Sequence, residues 1–337
     1  MKRIVNITVA IIAISVVLPV LTGCEKDLKF NEKDLDRFRG ITLNALATKD
    51  TVFTLSVSKA KALTEVIPTI SPDDYLMYDY LYDSLYIKDA LLKDATVGLT
   101  VNGDRQYVMT FDPKNNNYKS DYVPVAGDEI SLHVEAEDLK PVVAQTVIPT
   151  PQKLELLGYE LHYDKDDDAD GWVDKLGINT VAQITLKITD TGNEKNYYRL
   201  VVRGFASFTA TYICNDVFRS DDPIFLDENI TQGYRGWSAR FSNVFDDHLF
   251  NGKEYTFTVL SRLRRSNYST PQRGISIELQ SITPELYNYF KSIQLYRITA
   301  VDEFSEGVQI YNNVNNGFGI VGGISSQGRI VIEDFAL

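Results

Sequence analysis

Phe53, Leu55 and Val57 alternate with Thr54, Ser56 and Ser58, and this period of two returns along the chain. Val97, Leu99 and Val101 alternate with Thr96, Gly98 and Thr100. Ile130, Leu132 and Val134 alternate with Ser131, His133 and Glu135. Ile184, Leu186 and Ile188 keep the spacing around Thr185 and Lys187, as do Tyr255, Phe257 and Val259 around Thr256 and Thr258, and then Ile275, Ile277 and Leu279. Successive side chains of a strand point to opposite faces, so each run has one apolar and one polar face and none fits a helix. Asn102 and Gly103, and the stretch "AGDE" (126–129), supply turn chemistry between runs. The 20 Tyr and 16 Phe add β-forming weight.

Short strands separated by regular turns predict an all-β chain of two β-sandwich-like domains, the first immunoglobulin-like or fibronectin-like. With 337 residues, 44% of them hydrophobic, two cores can be filled. The two prolines of "IPTPQ" (148–152) mark the expected boundary, giving domains over 40–150 and 151–337. One or two short helices interrupt the strands. In "TPELYNYFKSIQLY" (283–296), Thr283 is a candidate N-cap, Pro284 the first helical residue, and Leu286, Tyr289, Phe290 and Ile293 recur at helical spacing. "SPDDYLMYDYLYDSLY" (71–86) also opens like a helix. Its Tyr78, Tyr80, Tyr82 and Tyr86 equally share one face of a strand; they are candidate partner contacts, because tyrosine buries area while keeping a polar tip. The alternative is that they pack onto the sandwich.

The N-terminus carries the most specific signal. Lys2 and Arg3 precede an apolar run over 10–21, broken only by Ser15 and Pro19, and "LTGC" (21–24) follows. This is the pattern of a bacterial lipoprotein signal peptide over 1–23, with Cys24 as the acylated residue and 24–39 as a charged tether. The run is short of the roughly 20 apolar residues a spanning helix needs. Cleavage would remove Lys2 and Arg3 and take the net charge from −12 to −14. So acidic a chain lacks the basic face that nucleic acid requires. With Cys24 acylated, Cys214 has no disulfide partner and reads as a small buried hydrophobe.

Three features raise chemistry. Gly317, Gly319 and Gly322 spell G-x-G-x-x-G, but no helical period follows, so a dinucleotide site is not expected. A glycine turn between late strands, or a backbone packed against another segment, explains them better. His133 is expected to face solvent, His162 to lie at the surface, and His248, beside Asp246 and Asp247, to sit in a locally hydrogen-bonded turn. In "DKDDDADGWVD" (164–174), Asp166, Asp168, Asp170 and Gly171 match positions 1, 3, 5 and 6 of a calcium loop. Asp174 falls at position 9. Position 12 is Gly177 where a bidentate Glu belongs, so a solvated loop competes with a weak calcium site. Calcium is the only cofactor the sequence raises, and no catalytic constellation is present.

The segments "LTGCEKDL", "FTLSVSKAKAL", "DATVGLTVNG", "YKSDYVPVAGDEISLHVEAEDL", "AQTVIPTP", "NEKNYYRLVV", "PELYNYFKSIQLY" and "DEFSEGVQIYNNVNNGFGIVGG" occur in that order. Together they resemble the domain-of-unknown-function 4249 family of surface lipoproteins from Bacteroidota, over nearly the whole mature chain. The "NYYRL" segment and the N-x-x-N-G-x-G-x-x-G ending are the most specific parts. Val321 stands where the family usually has an aromatic, and the aspartate loop matches no family motif. The resemblance implies a lipid-anchored protein of the outer membrane, displayed at the cell surface and partnered with a TonB-dependent transporter, with no established activity. The expectation is therefore a non-enzymatic accessory to nutrient transport; the alternative is a surface adhesin or structural envelope protein.

Overall fold

Each period-two run falls on a strand of the computed structural model, which describes residues 39–60, 90–164, 179–192, 194–205, 212–215, 218–225, 243–263, 274–299 and 307–333. The first half of the chain forms β1 (Gly40–Thr48), β2 (Thr54–Ala60), β3 (Thr96–Val101), β4 (Arg105–Val108), β5 (Thr110–Asp112), β6 (Asn117–Lys119), β7 (Glu129–Glu135) and β8 (Val142–Val147). The second half forms β9 (Lys153–Asp164), β10 (Asn179–Thr189), β11 (Tyr197–Phe205), β12 (Tyr212–Asn215), β13 (Phe218–Arg219), β14 (Val244–Asp246), β15 (Glu254–Leu263) and β16 (Gly274–Ile282). Helix α1 (Pro284–Thr299), β17 (Phe318–Ser325) and β18 (Arg329–Glu333) complete it. An all-β fold with a helix at 284 is what the periodicity predicts. The tyrosine-rich stretch 71–86, the leader and the tether up to residue 38 lie outside the described residues.

Strands are ordered β4-β3-β7-β8 in one sheet and β13-β15-β10-β9 in another. The largest sheet runs β12-β11-β16-β17-β1-β2-β6-β5, with β14 also on β11 and β18 also on β16. Alternation translates directly into layers. Ile41, Leu43, Leu55 and Val57 from the large sheet meet Val97, Leu99, Ile130, Leu132 and Val134 from the β3–β7 sheet in one core. Ile184, Leu186, Ile188, Phe257 and Val259 meet Tyr198, Leu200, Val202, Ile275 and Ile277 in a second. The proline stretch 148–152 lies between β8 and β9, where the chain leaves the first core for the second.

β17 spans the two halves of the large sheet. It runs parallel to β1, from Thr42 opposite Phe318 to Thr48 opposite Ile324. Its end pairs antiparallel with β16 through Ser281–Ser325 and Ile282–Ile324. A parallel neighbour requires a long return connection rather than a hairpin, so this pairing is invisible to local turn signals.

Helix α1 begins as the sequence predicts. The Thr283 carbonyl accepts the Tyr287 N–H at 2.9 Å, making Thr283 the N-cap by its backbone. Its side chain does not cap: Thr283 Oγ1 is buried without a hydrogen-bond partner. Leu286 alone among the described helix residues is fully buried, in a third cluster with Val244, Ile282, Ile320 and Ile324. Burying one Leu is worth about 2 kcal/mol. Around it, Tyr287 packs on Tyr197 with ring centroids 4.8 Å apart, and the Arg199 guanidinium lies 5.0 Å above the Phe290 ring. Among the described residues no helix is long and apolar enough to cross a membrane.

Candidate functional site

Cys24, the calcium candidates Asp166, Asp168, Asp170 and Asp174, and the contact candidates Tyr78, Tyr80, Tyr82 and Tyr86 all lie outside the described residues. Cys214 lies on β12, of which only the backbone is described. The histidines occupy the positions expected of them. His133 is exposed on β7 with Nε2 3.7 Å from Glu135, and His162 is exposed on β9 with Nε2 3.7 Å from Glu160. His248 sits in a turn, its ring Nδ1 hydrogen-bonded to Asp246, whose other oxygen holds Lys195 Nζ at 2.9 Å. Among the described residues no group of three or more His, Cys, Asp or Glu side chains is placed to hold a metal ion.

The glycines of the G-x-G-x-x-G stretch are a packing device. Gly317 closes a turn, whereas Gly319 and Gly322 lie within β17, so the stretch is a strand pressed on its neighbours rather than a turn between two strands. A Cβ on Gly319 would stand 2.0 Å from Leu43 O, and one on Gly322 would stand 2.9 Å from Leu286 Cβ. The next residue, Gly323, meets Val147 O in the same way, at 2.1 Å. β17 thus touches β1, β8 and α1 at once, and at Gly319, Gly322 and Gly323 no side chain fits. The asparagines before it complete the lock. Asn313 Nδ2 donates to Val321 O at 2.8 Å while Asn313 Oδ1 accepts the Val321 N–H at 2.9 Å, so the side-chain amide stands in for a neighbouring strand. Asn312 bridges its own turn, accepting from Val314 N at 3.0 Å and donating to Gly317 O at 3.0 Å.

Two buried carboxylate hubs were not evident from the sequence. Asp128, in the "AGDE" turn, accepts from Asn102 Nδ2 at 2.8 Å and an Arg105 guanidinium nitrogen at 2.9 Å on one oxygen. The other oxygen accepts Tyr122 OH at 2.7 Å and Val125 N at 3.1 Å. Burial alone would raise its pKa, but these four donors together hold it below the usual carboxylate value. Asp190 accepts Asn196 Nδ2 at 3.1 Å, Gly252 N at 2.7 Å and the buried Tyr198 hydroxyl. Asp247, 1% exposed, accepts only one hydrogen bond from outside its own turn, from Asn196 N at 2.9 Å. The available signal was an Asp or Asn next to a glycine turn, too common to single these out.

Burial raises the Asp247 pKa above 3.8, and repulsion from Asp190 and Asp246 adds to the shift against the Asn196 N–H. A carboxyl whose folded pKa is raised stabilises fully below its unfolded pKa and loses that contribution as pH rises through the folded one. Asp247→Asn is therefore expected to raise the urea midpoint at pH 7.5, with the gain shrinking as pH is lowered toward 3.8. A variant less stable than wild type at pH 7.5 would contradict this account.

Both hubs are saturated or closed to solvent, so they fix loops rather than bind ligands. Among the described residues, side chains face open space in a cleft of about 460 Å³ between the β3–β7–β8 sheet and the start of α1. Thr100 lies opposite Ser131, Ser131 opposite Gln145, and Glu129 opposite Val147, so polar side chains form rows across strands on the face away from Leu99, Val101 and Leu132. The helix start, with Thr283, Pro284 and Glu285, completes the wall, while Ile130 and Thr146, opposite each other on β7 and β8, share the core face with Val101 and Leu132. Thr283 is 4% exposed, and its hydroxyl oxygen is buried with no partner. The volume lies within the range of about 300–1,000 Å³ common to small-molecule sites.

No curated protein matches this chain. A protein-family model does: it covers residues 38–329, taking in both hubs, the cleft, "NYYRL" and the glycine strand, and the chain belongs to the family it describes, Domain of unknown function (DUF4249).

Proposed function

We propose that this protein is a non-enzymatic outer-membrane lipoprotein, anchored through Cys24 and displayed at the cell surface, where it assists a TonB-dependent transporter in taking up a nutrient. The observation that carries the proposal is the N-terminal series: Lys2 and Arg3, the apolar run over 10–21, then "LTGC" (21–24). Two acyl chains and an amide-linked third supply enough buried CH₂ groups, at about 0.8 kcal/mol each, to hold an acidic body at a membrane without a spanning helix. Tyr78, Tyr80, Tyr82 and Tyr86 are the proposed contact with the transporter.

Growth with an alkyne analogue of palmitate tests the anchor. Label is expected on wild type and not on Cys24→Ser, and the unlabelled variant is expected to leave the outer-membrane fraction. Extraction in a gentle detergent tests the partner: a β-barrel transporter is expected to co-purify. Recovery of the labelled protein alone, with binding to host matrix or neighbouring cells, would favour an adhesin instead.

A further inference from the structure

We propose that the cleft between the β3–β7–β8 sheet and the N-terminus of α1 binds a small alkylammonium ligand. This goes beyond the accessory role above and stands or falls apart from it. The lining decides the charge. Among the described residues, Glu129 and Glu285 line the cleft, and no Lys, Arg or His does. The helix N-terminus contributes only roughly half a positive charge, which the Glu285 carboxylate in the first helical turn outweighs by itself. With Glu129 added the cleft is net negative, so an anion is rejected there even though a helix begins at it.

The remaining groups decide the ligand's shape. Thr100, Ser131 and Thr283 offer hydroxyl oxygens and Gln145 an amide oxygen, so the polar wall is rich in acceptors. Thr283 Oγ1 lacks any partner, and an unmet buried polar atom favours a ligand that brings donors. An ammonium group supplies three donors and no acceptor. Val147 and Pro284 make the rest of the wall apolar. Among the described residues no aromatic ring lines it, which suits an alkyl chain better than the flat face of a sugar. A primary amine on a short carbon chain satisfies both parts.

Calorimetry on the full chain in detergent, at pH 7 and low salt, tests this with 1,5-diaminopentane and its neutral analogue 1,5-pentanediol. The diamine is expected to bind saturably and the diol not to bind. Glu129→Gln and Glu285→Gln are each expected to weaken the diamine about tenfold, the loss of one charge-assisted hydrogen bond. Circular dichroism melting of both variants confirms that they remain folded. Equal binding of the diol, no binding of the diamine, or diamine binding unchanged in both folded variants would each overturn the proposal. None of these results depends on Cys24 or on a transporter, so failure here leaves the lipoprotein proposal standing.

Discussion

Gly319→Ala is expected to unfold most of the protein or lower its thermal midpoint by about ten degrees or more. Two independent costs act at this residue. Its φ is +105°, a backbone region that L residues enter only under strain of about 1–3 kcal/mol. Its added Cβ would also stand 2.0 Å from Leu43 O and 2.9 Å from Leu43 C, both backbone atoms of the paired strand β1. A side chain can swing out of the way of a methyl, but a hydrogen-bonded strand can only be pushed off its partner. Overpacking of this kind costs about 1–3 kcal/mol where some relaxation is possible, and β17 is pinned on three sides. Against a total stability of about 5–15 kcal/mol, the sum leaves little. Gly158→Ala is the control: nothing lies within 4 Å of the point where its methyl would stand and its φ is ordinary, so its urea midpoint is expected to match wild type. If Gly319→Ala matched wild type as well, the parallel pairing of β1 with β17 would be wrong.

That residue also shows where the sequence is legible and where it is not. The strands through Ile130 and Ile184 are readable because a half-buried strand writes its two faces into a period of two. The helix start at Pro284 is readable because proline at the first position and an acid beside it are local chemistry. β17 is ambiguous because Gly319 lies 276 residues from its partner Leu43 and Gly323 lies 176 residues from Val147, and its glycines interrupt the period of two among Phe318, Ile320, Val321 and Ile324. The same G-x-G-x-x-G letters fit a phosphate loop, a turn or a close-packed strand, and only the partner backbone tells them apart. Thr283 is legible by half: its backbone caps the helix, while its hydroxyl stays without a partner at a cleft assembled from strands more than 130 residues earlier. The cleft itself is unreadable, since Thr100, Ser131 and Gln145 are ordinary polar-face residues until register sets them side by side. Lipidation at Cys24 is the opposite case, a purely local signal that needs no fold at all.

Asp190→Ala is expected to cost about 3–5 kcal/mol, the scale for removing one partner from a buried charged network. Its carboxylate is 5% exposed and receives the Tyr198 hydroxyl, Asn196 Nδ2 and Gly252 N. The three donors come from β11, the loop before it and the turn before β15, so one side chain ties three segments. Tyr198 is fully buried, with its ring 5.4 Å from Phe245 and 6.1 Å from Phe250, and has no route to water for its hydroxyl. Burial first, then the hydrogen bond to Asp190, push the Tyr198 pKa far above the ordinary tyrosine value, so it remains a donor at every accessible pH. Gly192 and Gly252 pack backbone to backbone at the same place, a Cβ on Gly192 meeting Gly252 Cα at 2.9 Å, which leaves little room for water to replace the lost carboxylate. Tyr198→Phe removes one of the three donors and leaves the carboxylate two, so a smaller loss of about 1–2 kcal/mol is expected. Because both changes break the same bond, Asp190→Ala introduced into Tyr198→Phe is expected to cost less than in wild type, by at least about 0.5 kcal/mol. Urea unfolding of the two single variants and the double variant measures all three quantities. Strict additivity would mean that the hydroxyl and the carboxylate do not share a bond, and a stable Asp190→Ala would mean that the three segments are held together by packing alone.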